Sequence, residues 1–164
     1  MDDMQTQLVS GGCTCGQVRY SLHAEPMIVH CCHCSWCQRE TGSAFVINAL
    51  IEASKVSVEG RVEQINTPSQ SGNGQVIARC PQCRIALWSN YYQAGPNVRF
   101  IRVGTLDKPA TFTPDIHLYT STKVPWVLIP DNARAVPEFY DPKSVWSQAS
   151  LDRFYTASSA TQVE

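Results

Sequence analysis

No apolar run in this chain of 164 residues approaches the ~18 that a membrane-spanning helix needs, so no helical anchor is expected. An excess of charge is missing too. Lys and Arg number 13 against 14 Asp and Glu, a formal net charge of −1. That balance gives no electrostatic case for nucleic acid or an anionic membrane surface as a partner. The opening "MDDMQTQ" lacks the basic start and apolar segment of a secretory signal, and a cytoplasmic location is expected. Internal repeats are absent, and the polar end "TASSATQVE" (156–164) is the one biased tract. Helical periodicity is scarce. The length suits one domain over 1–164 with a core of ordinary size.

Cysteine, by contrast, is abundant. Eight residues, Cys13, Cys15, Cys31, Cys32, Cys34, Cys37, Cys80 and Cys83, exceed what a reducing compartment keeps without a use. Neighbours such as Cys13 and Cys15 suit one shared ion better than bridges to separate partners, so metal binding is favoured over disulfides.

Short alternating or β-branched runs recur, each closed by Gly, Pro, Asn or Ser. They cover 17–23, 43–51, 56–60, 62–66, 74–80, 85–90, 98–104, 116–120 and 126–129. This pattern predicts a mainly β fold of short antiparallel strands, with "PSQSGNG" (68–74) as a hairpin loop. A short helical turn is expected at "SWCQRETG" (35–42), stopped by Gly42. One terminal helix is expected at 142–155, with Ser144 as its N-cap.

"GGCTCG" (11–16) and "CPQC" (80–83) supply two close cysteine pairs. Residues i and i+2 of an extended or tightly turned segment point the same way, so Cys13 and Cys15 present both sulfurs to one side. Flanking glycines allow close backbone approach, and Pro81 helps shape a knuckle. Cys13, Cys15, Cys80 and Cys83 together complete a closed tetrahedral zinc site, which is structural in character.

The stretch "HCCHCSWCQ" (30–38) supplies a second cluster. If 30–34 is strand-like, Cys32 and Cys34 share a face, the turn through Ser35 and Trp36 brings Cys37 to them, and Cys31 and His33 point away. Three thiolates leave one position on the ion open, as catalytic zinc sites do. Other partitions fit the same spacing. Cys34 and Cys37 could pair with Cys13 and Cys15 or with Cys80 and Cys83, and His30, His33 or Cys31 could close the site. A redox dithiol is disfavoured, because no βαβ pattern surrounds the C-x-x-C.

Four segments in order, "GGCTCGQVRY", "CHCSWCQRETGSAF", "CPQC" followed by "ALW", and "IHLYTSTKVPW", resemble the glutathione-dependent formaldehyde-activating enzymes, which share a domain with centromere protein V. The resemblance spans about residues 9–140. It implies a zinc-binding β-tent fold with two zinc ions per chain. Cys13, Cys15, Cys80 and Cys83 would hold the structural ion, and Cys32, Cys34 and Cys37 the open, catalytic one. It also implies a carbon–sulfur lyase similar to S-(hydroxymethyl)glutathione synthase, whose partners are glutathione and formaldehyde. Two positions depart from the family pattern: Gln38 stands where a basic residue is common, and Cys31 is an additional thiol.

Other residues carry a functional reading beside a plainer one. His117, with an ordinary pKa near ~6.5, is the candidate acid/base or substrate contact, or else a hydrogen-bonded core histidine. His33 flanks the cluster. Arg39 suits a glutathione carboxylate or an exposed helical turn. Trp36 suits a pocket wall or core packing, and Trp126 a hydrophobic anchor. Arg79 and Arg84 read as surface charges, and Cys31 as a buried inert thiol or a reactive neighbour. Two other functions fit the same scaffold: a zinc hydrolase or lyase of another small molecule, and a non-catalytic glutathione carrier or protein-interaction module.

Overall fold

The computed structural model describes residues 8–160. The opening "MDDMQTQ" and the last four residues of the polar tail lie outside the described residues. Among the described residues, ten strands form two sheets. The smaller has the order β1-β2-β5, with β1 at Val9–Gly12, β2 at Arg19–Leu22 and β5 at Val56–Glu59. The larger contains β3 (Ile28–Cys32), β4 (Val46–Glu52), β6 (Glu63–Thr67), β7 (Gln75–Arg79), β8 (Ala86–Tyr91), β9 (Val98–Arg102) and β10 (Ile116–Leu118). Its order is β10-β3-β4-β9-β8-β7-β6.

The mainly β expectation holds, with one correction to its pairing. β10 runs parallel to β3, with His117 opposite Cys31, while the other strand pairs are antiparallel. β1 and β3 carried no strand signal of their own. "VSGG" is half glycine, and "IVHCC" is buried on both faces and so shows no alternation.

The smaller sheet packs on one face of the larger. Tyr20 and Leu22 meet Val29, Ala49, Ile51 and Ile101 there, each removed from water. On the opposite face, Leu50, Val98, Ile116 and Leu118 meet Trp146 and α2, the helix Gln148–Ser159. A fully buried side chain of this size contributes about 1.5–3 kcal/mol, so β4, feeding both cores, anchors the molecule.

The shorter helix, α1 (Ser35–Thr41), ends where expected. Gly42 adopts φ 63°, a left-handed cap that glycine takes at little steric cost. The loop 68–74 joins β6 to β7 as expected. The terminal helix does not begin at 142. Residues Pro142–Ser144 form a single 3-10 turn capped by Asp141, and α2 is capped by Ser147, whose Oγ accepts from the Ser150 N–H at 3.1 Å. The segment 126–129 is no strand: Pro125 and Pro130 bracket it, and Lys123 Nζ folds back to the Val124 and Val127 carbonyls. Trp126 is therefore no core anchor; it is 75 % exposed.

Candidate metal centres

The turn after β1 places the first two thiols. Cys13 N–H donates to the Val18 carbonyl at 3.0 Å, the Val18 N–H returns to Cys13 Sγ at 3.3 Å, and Gly16 closes the turn with φ 81°. The knuckle between β7 and β8 places the other two. There the Cys80 N–H bonds the Ile85 carbonyl, and Arg84 takes the left-handed conformation that lets the chain reverse. The sulfurs of Cys13, Cys15, Cys80 and Cys83 all lie within 4.8 Å of one another. Cys13 to Cys15 is 3.5 Å and Cys15 to Cys80 is 3.6 Å. A tetrahedral ion with Zn–S bonds of about 2.3 Å requires sulfurs about 3.8 Å apart, so the donor set fits zinc. Charge points the same way. N–H bonds, led by that of Ile85, hold Cys83 down to about 6. Cys15 is pushed up to about 11, because desolvation and three neighbouring thiols outweigh the Gln17 N–H. Without a cation, four thiols this close cannot all ionise.

The second cluster forms where β3 runs into α1. Cys32 ends the strand, Cys34 caps the helix by accepting the Cys37 N–H at 3.3 Å, and Cys37 is the helix's buried residue. Their three sulfurs also lie within 4.8 Å of one another, each thiol being buried. The Cys32 and Cys37 thiols hold Cys34 down to about 3, whereas neighbouring sulfur pushes Cys32 up to about 12 and Cys37 higher still. This is again a donor set that needs a cation, now with three ligands and one side facing a cavity.

That cavity has a volume of about 340 Å³. Trp36, Leu50, Phe100, Tyr119, Trp146 and Phe154 supply much of its wall, while His30, Glu40, Asn48, Gln75 and Arg102 supply polar groups. Burial pushes the His30 imidazole down to about 3, so it is neutral, and its Nε2 lies 2.7 Å from the Tyr140 hydroxyl. Arg102 is 6 % exposed; its guanidinium donates to Asn48 Oδ1 at 3.0 Å and to Ser89 Oγ at 3.1 Å. Gln75 Oε1 is buried and has no hydrogen-bond partner among the described residues. Tyr119 packs against the three cysteines in a left-handed conformation, φ 53°, uncommon for an aromatic residue and often found where a site constrains the backbone.

Of the residues singled out from sequence, Trp36 lines the cavity and Arg39 is exposed and lines no part of it. His117 is not part of the cavity lining either. Its register with Cys31 turns it to the opposite side of β3, where His33 Nε2 lies 3.0 Å from His117 Nδ1 and 3.5 Å from Cys31 Sγ. Burial pushes both imidazoles down, His33 to about 4, so the pair is neutral near pH 7. Gln38 ties the elements together, its Nε2 donating to the His33 carbonyl at 2.8 Å and the Thr122 carbonyl at 2.9 Å. Arg79 and Arg84 are paired, with Glu40 and Glu63 respectively. Arg102, Asn48, Gln75 and Tyr119 drew no attention in the sequence. The spacing of Phe100 and Arg102, two apart in a strand, was the available signal.

Comparison with known proteins adds three findings. Residues 8–122 match the sequence profile of the family described as glutathione-dependent formaldehyde-activating enzyme. A search of curated proteins finds no match. Among solved structures, a Rhodobacter sphaeroides protein is similar at 20 % identity, with a TM-score of 0.44, over 64 % of this chain and 97 % of that one. Among the described residues, no helix is long and apolar enough to cross a membrane.

Proposed function

The chain belongs to the glutathione-dependent formaldehyde-activating enzyme family, and from that premise we propose that it is a zinc-dependent carbon–sulfur lyase. It joins a thiol such as glutathione to formaldehyde or a related small electrophile. In the forward direction the thiol sulfur bonds the carbonyl carbon, the C=O π bond opens, and the thiol proton passes to the oxygen, giving a hydroxymethyl thioether. The observation that carries this reading is the cluster of Cys32, Cys34 and Cys37 facing a largely apolar cavity, in contrast to the fourfold cluster elsewhere.

In this reading Cys13, Cys15, Cys80 and Cys83 hold a structural zinc, and Cys32, Cys34 and Cys37 a second ion, two per chain. Zinc at the second site supplies a lowered thiol pKa and a polarised carbonyl oxygen. Three thiolate ligands, in place of neutral imidazoles, favour thiol chemistry over hydrolysis. The aromatic walls hold thiol and carbonyl together and exclude water, which raises their effective concentration. Tyr119, against the cysteines, keeps its phenolic proton because burial first and the thiol charges second push it up; in this reading it holds a proton for the reacting oxygen. His117 then serves to fix His33, and with it the backbone between Cys32 and Cys34. Trp36 closes the cavity rim, and Arg39 remains outside it.

The test is zinc per chain, by elemental analysis of protein purified under reducing conditions, followed by titration with glutathione while metal coordination is monitored. Two zincs, one of which changes its ligands when the thiol is added, are expected. One zinc, or two that ignore glutathione, would sink the open-site reading.

A further inference from the structure

Arg102 holds a charge that no carboxylate around it neutralises. Among the described residues it is the one Arg or Lys that lines the cysteine cavity, and it is buried. Both of its hydrogen-bond acceptors, Asn48 Oδ1 and Ser89 Oγ, are neutral. Glu40, the carboxylate lining the same cavity, is committed to Arg79. Apart from the cysteine cluster itself, the neighbourhood thus contains two guanidinium groups and one carboxylate. A buried cation without an anion is costly, and sites that keep one generally meet it with an anionic ligand. Asn48 and Ser89 hold the guanidinium fork in place without spending its charge, as a preset carboxylate receptor requires.

The remainder of the wall is unlike a receptor for a highly charged molecule. Leu50, Phe100, Leu118, Tyr119, Trp146 and Phe154 line the same cavity as the cysteines and Arg102, and polar groups there such as Asn48 and Gln75 are uncharged. Glutathione carries two carboxylates and an ammonium, and the described residues offer its second carboxylate no further cation in the cavity.

We propose that Arg102 sets substrate specificity by receiving a single carboxylate, so that the preferred thiol is a monocarboxylate with an apolar body between its sulfur and its charge. This rests on the reading of Cys32, Cys34 and Cys37 as the place where the substrate sulfur is held. The competing account is that Arg102 merely offsets the negative charge of the cysteine cluster. Under that account the far end of the substrate is indifferent to charge.

Calorimetric titration of the zinc-loaded full chain separates the two. Mercaptohexanoate and mercaptoacetate are compared with mercaptohexanol and mercaptoethanol, matched in length but uncharged, and with glutathione. Mercaptohexanoate is expected to bind about ten- to hundredfold tighter than mercaptohexanol, the range for a charge-assisted hydrogen bond, and tighter than glutathione. Arg102→Gln removes the preference for the acid, and Arg102→Lys retains part of it. Equal affinity of acid and alcohol for the unsubstituted protein overturns the proposal while leaving the thiol site intact, and needs no variant to fold. Binding by none of the thiols overturns the thiol-site reading, and this proposal with it.

Discussion

Cys37 and Cys80 are both buried, but they bind different parts of the molecule together. Cys37 sits on a seven-residue helix, beside a cavity, in a cluster whose three members span only residues 32–37. Cys80 is fully buried and its cluster joins segments 65 residues apart in sequence. Cys37→Ala should therefore lose one zinc and the activity while costing only about 1–3 kcal/mol of stability. Cys80→Ala should lose the other zinc and destabilise far more than Cys37→Ala, opening the seam between the two sheets, because structural zinc in small sites contributes on the order of 10 kcal/mol. Zinc content together with thermal unfolding checks this; equal destabilisation by the two would show the roles to be misassigned. The cysteines were legible in the sequence because their grouping is local: residues two or three apart meet whatever the fold does. Arg102 and Asn48 were not, since they become neighbours only through the register of β4 and β9. The outward turn of His117 followed from a parallel pairing that its own segment does not encode.

At the scale of the element, α2 is docked by side chains rather than by its own propensity. Arg153 grips Glu52 of β4 through two hydrogen bonds of 2.7 Å and reaches the Glu25 carbonyl at 3.0 Å. Burial alone would push the Glu52 carboxyl up, but the Arg153 hydrogen bonds and charge outweigh it and leave the carboxyl below its ordinary value. A carboxyl held low when folded takes up its proton more readily when unfolded. Its stabilisation is therefore complete above the unfolded pKa of about 4.3 and fades as pH falls through the lower folded value. Glu52→Gln should cost about 1 kcal/mol near neutrality, the partial exposure of Arg153 limiting the gain, and should flatten the stability profile below about pH 4.3. Denaturant unfolding at a series of pH values reads this directly; parallel profiles for the two proteins would exclude it. The terminal helix was legible, but its start was misplaced by three residues, from Ser144 to Ser147. Both serines fit an N-cap locally. The choice falls to tertiary packing, which buries Trp146 and Leu151 against the sheet and leaves Pro142–Ser144 as a separate turn.

The whole molecule is two sheets held together by three kinds of link. Tyr20 and Leu22 share a core with the larger sheet, Arg19 reaches Asp107 at 2.9 Å, and the thiol cluster joins the turn after β1 to the knuckle between β7 and β8. The smaller sheet has only three short strands, so it depends on those links more than the larger sheet does. Metal removal should accordingly proceed in two steps. If the proposed two-zinc reading holds, a chelator should reach the cavity-facing ion first, with loss of thiol binding and faster amide exchange confined to Ser35–Thr41. Slower loss of the second ion should then expose the amides of Val9–Gly12, Arg19–Leu22 and Val56–Glu59, while β3, β4 and β9, packed on both faces, stay protected longest. Exchange followed by mass spectrometry during chelation resolves this order. A single step that opens both sheets together would mean that the structural cluster stabilises the entire fold and not chiefly the seam. In that case the wide sequence separation of its two cysteine pairs matters through closing a loop of the whole chain, more than through the particular strands it joins.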